Sequence, residues 1–161
     1  RGPYTIRGYW GGVDKKSFTE DGFYASGDLV RQLPSGHLIV EGRDKDQINR
    51  GGEKISAEEI EDHLISHDLV HDAAIIAVPD RLQGERSYAF VVLTDGAQLD
   101  ATVLRDYLRK RGVADYKIPD YFEFAESFPT TGVGKTNRRE LRRIVQEYVS
   151  AKTQQQEEST N

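Results

Sequence analysis

Apolar residues change their spacing near Gly42. Before it they come in short β-prone pieces, Phe23-Tyr24, Asp28-Leu29-Val30 and His37-Leu38-Ile39-Val40, with Pro34-Ser35-Gly36 as the turn between the last two. Such pieces bury little by themselves and predict the end of a larger body rather than a domain. After Gly42, Gly51-Gly52 lies between Asp46–Asn49 and Glu53–Ile55, which is a hairpin signal. Ser56 followed by Glu59 forms a capping box and predicts a helix to about His67, with Ile60, Leu64 and Ile65 on its apolar side. Ala73–Val78 and Tyr88–Leu93 are continuous apolar runs, the pattern of strands covered on both faces. Asp100 caps a second helix to about Arg111, and Gly112 stops it. Tyr121–Phe124 reads as a further strand. A last helix starts near Asn137, with Leu141, Ile144, Val145, Tyr148 and Val149 at helical spacing.

The pattern therefore predicts an α+β fold over residues 44–151, preceded by a β-rich segment at 1–43. The tail at 152–161, rich in Gln, Glu, Ser and Thr from Thr153, predicts disorder. Composition narrows the function classes. The 161 residues are 37% hydrophobic and 30% charged, a globular balance. A net charge of −5 argues against a protein that coats nucleic acid. The absence of Cys excludes disulfides, Cys-based metal sites and Cys nucleophiles, and suits the cytoplasm. No apolar run approaches the roughly 18 residues of a membrane span. There is no Met, even at position 1, which predicts that the chain is a piece of a longer protein.

Three constellations carry candidate chemistry. Pro129-Thr-Thr-Gly-Val-Gly-Lys-Thr136 approaches the phosphate-binding pattern GxxxxGK[ST], but Pro129 stands where the first Gly belongs. Proline lacks the N–H and the φ freedom that a phosphate nest needs. The competing reading is a Gly-rich turn that leaves Lys135 exposed. In Tyr24-Ala-Ser-Gly-Asp-Leu29, Asp28 has the chemistry to accept hydrogen bonds from two vicinal hydroxyls, or simply to stabilise its own turn. The stretch Gly42 to Ile55 is dense in charge and Gly, as a solvated loop would be, yet its paired glycines also let a ligand approach the backbone. His37, His63, His67 and His71 lack metal-ligand spacing. Arg138, Arg139, Arg142 and Arg143 read as the polar face of the last helix.

Taken in order, these motifs resemble the C-terminal third of the adenylate-forming superfamily: acyl- and aryl-CoA ligases, nonribosomal adenylation domains and luciferases. The segment RGPYTIRGYW at 1–10 is similar to the family's Gly-rich stretch ending in GY. Ser26-Gly27-Asp28-Leu29 is similar to its [ST]GDL, residues 42–61 to GRxxDxIxxxGxxIxxxEIE, and Pro129–Lys135 to PxTxxGK. Within the superfamily the chain most resembles the stand-alone 2,3-dihydroxybenzoate– or salicylate–AMP ligases of siderophore assembly.

The resemblance implies a small C-terminal lid domain with a central β-sheet flanked by helices. It makes residues 1–43 the β-rich end of a large N-terminal adenylation domain. It assigns ribose binding to Asp28 and Arg43, nucleotide lining to Val40 and a hinge to Lys45. Gly51 and Gly52 match the hairpin lining the pantetheine tunnel. Lys135 matches the catalytic Lys that contacts the acid carboxylate and the α-phosphate. The resemblance implies ATP and Mg²⁺, the ion held mainly through ATP and the N-terminal domain, and no metal site in this chain. It implies an aromatic carboxylic acid as substrate and an aryl carrier protein's phosphopantetheine as acceptor. Alternatives remain: an acyl-CoA ligase using coenzyme A, a non-catalytic carrier-docking domain, and a P-loop nucleotidase.

Overall fold

The computed structural model describes residues 17–147. The chain divides into two compact units between Lys45 and Asp46, inside a 3-10 turn at Asp44–Asp46. Each unit has its own logic.

The described part of the first unit is a hairpin. Strand β1 (Asp28–Gln32) pairs antiparallel with β2 (Leu38–Arg43). Gly36, at φ 85°, completes the turn, and Leu33 N–H donates to the His37 carbonyl at 2.8 Å. Residue 37 therefore closes the turn and is not in the strand. The register shifts between Leu29 and Val30, so Asp28 faces Arg43 and Leu29 faces Gly42. Phe23-Tyr24 is not a strand: Tyr24 makes a single bridge to Phe18, with ring centroids 5.3 Å apart. Thr19 turns the chain there by taking the Phe23 N–H on its hydroxyl at 2.9 Å. Val30, Leu38, Ile39 and Val40 are exposed.

The second unit is α+β, as the apolar pattern predicts. Its described residues form a five-stranded sheet. Strands β3 (Gln47–Arg50) and β4 (Glu53–Ser56) make a hairpin. Strands β5 (Val70–Asp80) and β6 (Gly84–Leu93) pair along their whole length, and β7 (Tyr121–Phe124) runs parallel to β6. The order β4-β3-β6-β5 makes β5 an edge strand. Helices α1 (Ala57–Ile65) and α2 (Ala101–Lys110) contribute to one face, and α3, residues 138–147, to the other.

Strand periodicity divides the core accordingly. Ala73, Ile75, Ala89 and Val91 pack with Ile60 and Leu64 of α1, Leu104 and Leu108 of α2, and Ile48 and Ile55 of the hairpin. Ala74, Ile76, Val78, Tyr88 and Phe90 pack with Leu141 and Val145 of α3. Both faces are covered, which explains the unbroken apolar runs. The strands extend past those runs because backbone pairing continues beyond them.

Two expectations change in the helices. Helix α1 ends at Ile65, with Ser66 as its C-cap, and Ile65 is exposed while Ile60 and Leu64 are buried. The apolar stripe follows i, i+4, and Ile65 falls one position off it. In α3, Ile144 is likewise exposed while Leu141 and Val145 are buried. Tyr148, Val149 and the tail from Thr153 lie outside the described residues.

Caps start the helices. The Ser56 hydroxyl accepts the Glu59 N–H at 3.3 Å. Asp100 accepts the N–H groups of Thr102 (2.7 Å) and Val103 (3.0 Å). The Val103 and then the Thr102 N–H hold the Asp100 carboxyl below its ordinary 3.8. A depressed folded-state pKa gives stability that is present above the unfolded value and is lost as pH falls through the folded one. We predict that Asp100→Ala lowers the urea midpoint at neutral pH, and that its gap from wild type narrows below pH 3.8. A gap independent of pH would refute the charged cap.

Candidate active site

Asp28 and Arg43, distant in sequence, come together because the β1–β2 register sets them opposite one another. Arg43 Nε lies 3.2 Å from Asp28 Oδ1, with the Asp side chain one-third exposed. The pair thus presents carboxylate oxygen and guanidinium side by side, a set suited to a diol next to an anion. Val40 lies on the same β2 strand and is 63% exposed. Lys45 sits in the 3-10 turn where the two units divide, and is exposed.

Gly51 and Gly52 occupy the two-residue turn of the β3–β4 hairpin at φ 58° and 94°. Positive φ at both positions is the backbone that favours Gly-Gly. A Cβ at either would meet nothing within 4 Å, so this face of the turn is open.

Lys135 lies on another loop of the second unit, a small hairpin bridged between Thr130 and Thr136. Thr131 N–H donates to the Lys135 carbonyl (2.7 Å), and Gly134 N–H to the Thr131 carbonyl (2.8 Å). Lys135 N–H donates to Thr131 Oγ1 (3.2 Å). The amides of Gly134 and Lys135 are thereby used inside the loop, which leaves them unavailable as a phosphate nest and counts against a P-loop on geometry as well as on Pro129. The Lys135 ammonium is exposed and makes no ion pair with a described residue.

The loop runs directly into α3, where Asn137 Oδ1 caps Glu140 N–H at 3.2 Å. Arg138, the first residue of α3, is not part of a solvated face, contrary to its reading as such. Its Nη1 donates to Glu61 Oε1 (2.6 Å) and to the Ile75 carbonyl (3.0 Å), and its Nη2 to Glu61 Oε2 (2.7 Å). Ile75 N–H donates to Glu61 Oε1 at 2.6 Å. Glu61 is 6% exposed. The Glu61 carboxylate raises the Arg138 pKa further above its ordinary value, against the cost of burial. The sequence signal for this pair was weak: Arg138 stands among four arginines, and only its partner distinguishes it. The others differ. Arg142 reaches Asp46 at 3.5 Å, and Arg143 pairs with Glu140 and Glu147.

Arg50, which the sequence reading did not single out, uses all three guanidinium nitrogens. They donate to Gln83 Oε1, the Tyr116 carbonyl and Asp120 Oδ1, each at 2.7 Å. No described group of three or more His, Cys, Asp or Glu is placed to hold a metal ion. No helix among the described residues is long and apolar enough to cross a membrane.

Comparison with known proteins gives the geometry its context. Residues 59–135 match the AMP-binding enzyme C-terminal domain. The chain is 55% identical over 153 residues to a 2,3-dihydroxybenzoate-AMP ligase of Bacillus subtilis (strain 168), covering 94% of this chain and 28% of that one. It is 46% identical to the enterobactin synthase component E of Escherichia coli (strain K12), with the same 94% and 28% coverage. Its fold is similar to o-succinylbenzoate CoA synthetase from Bacillus subtilis in complex with the acyl-adenylate intermediate, at a TM-score of 0.81 and 32% identity, covering 88% of this chain and 29% of that one. The chain therefore spans under a third of the length of these proteins.

Breaking a buried pair by removing one partner costs about 3 kcal/mol, against about 0–1 for a surface pair. Glu61→Ala and Arg138→Met are each expected to lose stability at the higher figure in urea unfolding, with an unchanged m value. Losses at the surface figure would show that the pair does not act as a buried one.

Proposed function

We propose, from the match of residues 59–135 to the AMP-binding enzyme C-terminal domain, that this chain is the mobile C-terminal part of an ATP-dependent aryl-acid–AMP ligase. The substrate is an aromatic acid of the 2,3-dihydroxybenzoate or salicylate class, in keeping with the 2,3-dihydroxybenzoate-AMP ligase relative. The observation that carries the reading is Lys135: an exposed cation on a loop whose Gly134 and Lys135 amides are already used, beside an anchored helix start.

In the first half-reaction an acid carboxylate oxygen attacks the α-phosphorus of ATP. The bond to the bridging oxygen breaks and pyrophosphate leaves. Negative charge develops on the phosphoryl oxygens, and the Lys135 ammonium stabilises it where it forms. Asp28 accepts from the ribose hydroxyls, Arg43 supports it from 3.2 Å, and Val40 gives the nucleotide an apolar contact. The exposed apolar residues of the β1–β2 hairpin are the kind of surface that a larger N-terminal body covers. Mg²⁺ belongs with the ATP phosphates. The described residues offer it no cluster of three or more His, Cys, Asp or Glu donors.

In the second half-reaction a phosphopantetheine thiolate of an aryl carrier protein attacks the acyl carbon and AMP leaves. The domain turns about Lys45, withdrawing Lys135 and presenting Gly51 and Gly52, whose open face admits the thiol arm. The likeness to a CoA synthetase favours coenzyme A as a second acceptor. Comparing the two thiols as acceptors decides between them. The setting is cytoplasmic.

Two outcomes test the reading. In the full-length ligase, Lys135→Ala is expected to lower acid-dependent ATP–pyrophosphate exchange by about 10²-fold while transfer from a preformed adenylate survives. The 161-residue chain alone is expected to show no exchange. Exchange by the isolated chain, or equal loss of both half-reactions in Lys135→Ala, would sink it.

A further inference from the structure

Gly51 and Gly52 have no side chains, and nothing lies within 4 Å of the positions where a Cβ would sit. Packing therefore cannot hold this turn in place. The opposite end of the β3–β4 hairpin is held by packing, through Ile48 and Ile55 in the core. The turn end is held by polar groups. Gly51 N–H donates to the Gln83 carbonyl at 2.8 Å, and Asn49 N–H to Glu85 Oε2 at 2.7 Å. Between them stands Arg50, with a 20% exposed side chain and the single register pair of β3 with β6, Arg50 to Gly84.

Its three acceptors come from three different places. Gln83 lies in the β5–β6 turn, Tyr116 in the 3-10 turn Asp115–Lys117, and Asp120 just before β7. Asp120 is itself fixed, since Oδ2 accepts Ser87 N–H (3.1 Å) and Ser87 Oγ (3.2 Å). Such a forked anchor sets position and orientation together, which a point charge cannot do.

We propose that Arg50 is a positioning residue for the thiol-transfer half-reaction, holding the Gly51–Gly52 turn where the thiol arm passes. The inference rests on the ligase reading above. It goes beyond that reading by separating the two loops physically. The Lys135 loop is anchored through Arg138, Glu61 and Ile75, and none of these touches the Arg50 network. Loosening Arg50 therefore disturbs one half-reaction and spares the other. Misplacement of a positioning element by about 1 Å costs up to about 10²-fold in rate.

The test uses full-length ligase carrying Arg50→Lys, which keeps the charge and loses the fork. Two rates are read: acid-dependent pyrophosphate exchange, and aryl transfer from preformed adenylate to carrier-bound phosphopantetheine and to coenzyme A. The expected result is exchange at the wild-type rate with transfer kcat/KM lowered at least about 10-fold. Gln83→Ala, which removes one of the three acceptors and keeps the Asp120 pair, is expected to lower transfer alone and by less. It serves as the test if Arg50→Lys does not fold. Wild-type transfer in both variants, or equal loss of exchange and transfer, overturns the proposal. A wild-type ligase that forms no adenylate or no thioester instead overturns the ligase reading itself.

Discussion

The ion pair between Arg138 and Glu61 sits where this sheet would otherwise be open. Strand β5 is an edge, and an edge leaves N–H and C=O groups without partners. At Ile75 both groups are taken, the N–H by Glu61 and the carbonyl by Arg138. The two side chains arrive from helices that pack on opposite faces, α1 and α3. One bidentate contact therefore closes the edge at Ile75 and ties the two layers together there. Burying such a pair is costly, and only full hydrogen bonding offsets the lost hydration. Here both carboxylate oxygens and two guanidinium nitrogens are engaged, and the backbone of Ile75 completes the set.

The rest of the second unit follows from that closure. Further along the same edge lies Pro79; by the period of two from Ile75, its missing N–H would have pointed away from β6, the one side on which a strand tolerates proline. Because Arg138 opens α3, the helix starts at a defined point, and Lys135 lies three residues before a fixed anchor. The glycine turn is held at a different place by Arg50 and Asp120. Two loops on one rigid sheet, with separate anchors, suit a domain that offers different surfaces to successive steps.

Much of this was legible in the residues. The caps at Ser56 and Asp100, the Gly51-Gly52 turn and the strands at β5, β6 and β7 each carry a local signature. Helix and strand periods are properties of a short window, so they survive reading without the fold. The misjudged positions are of two kinds. Ile65 and Ile144 look apolar-faced in sequence but lie beside the stripe that the neighbouring elements cover. His37 and Phe23 sit among β-prone residues, yet their turns spend their backbone groups before a strand can form.

The site divides in the same way. Sequence alone determined the chemical kinds in play: a carboxylate on a short strand, a guanidinium in a charge-dense stretch, a double glycine between strands, and a lysine on a Gly-flanked loop. Sequence also limited what else they form, since Pro129 in place of a glycine argued against a phosphate nest before any loop geometry was known. Only the tertiary structure decided which charges meet. Asp28 faces Arg43 because of a register shift at Leu29 and Val30. Arg138 was one of four similar arginines until Glu61 and Ile75 selected it. Arg50 looked like one more charge in a polar loop until Gln83, Tyr116 and Asp120 surrounded it. The physical reason is that a residue's period and cap are set by its neighbours in sequence. A charge is given its role by partners 15 to 77 positions away, and only the folded chain brings those together.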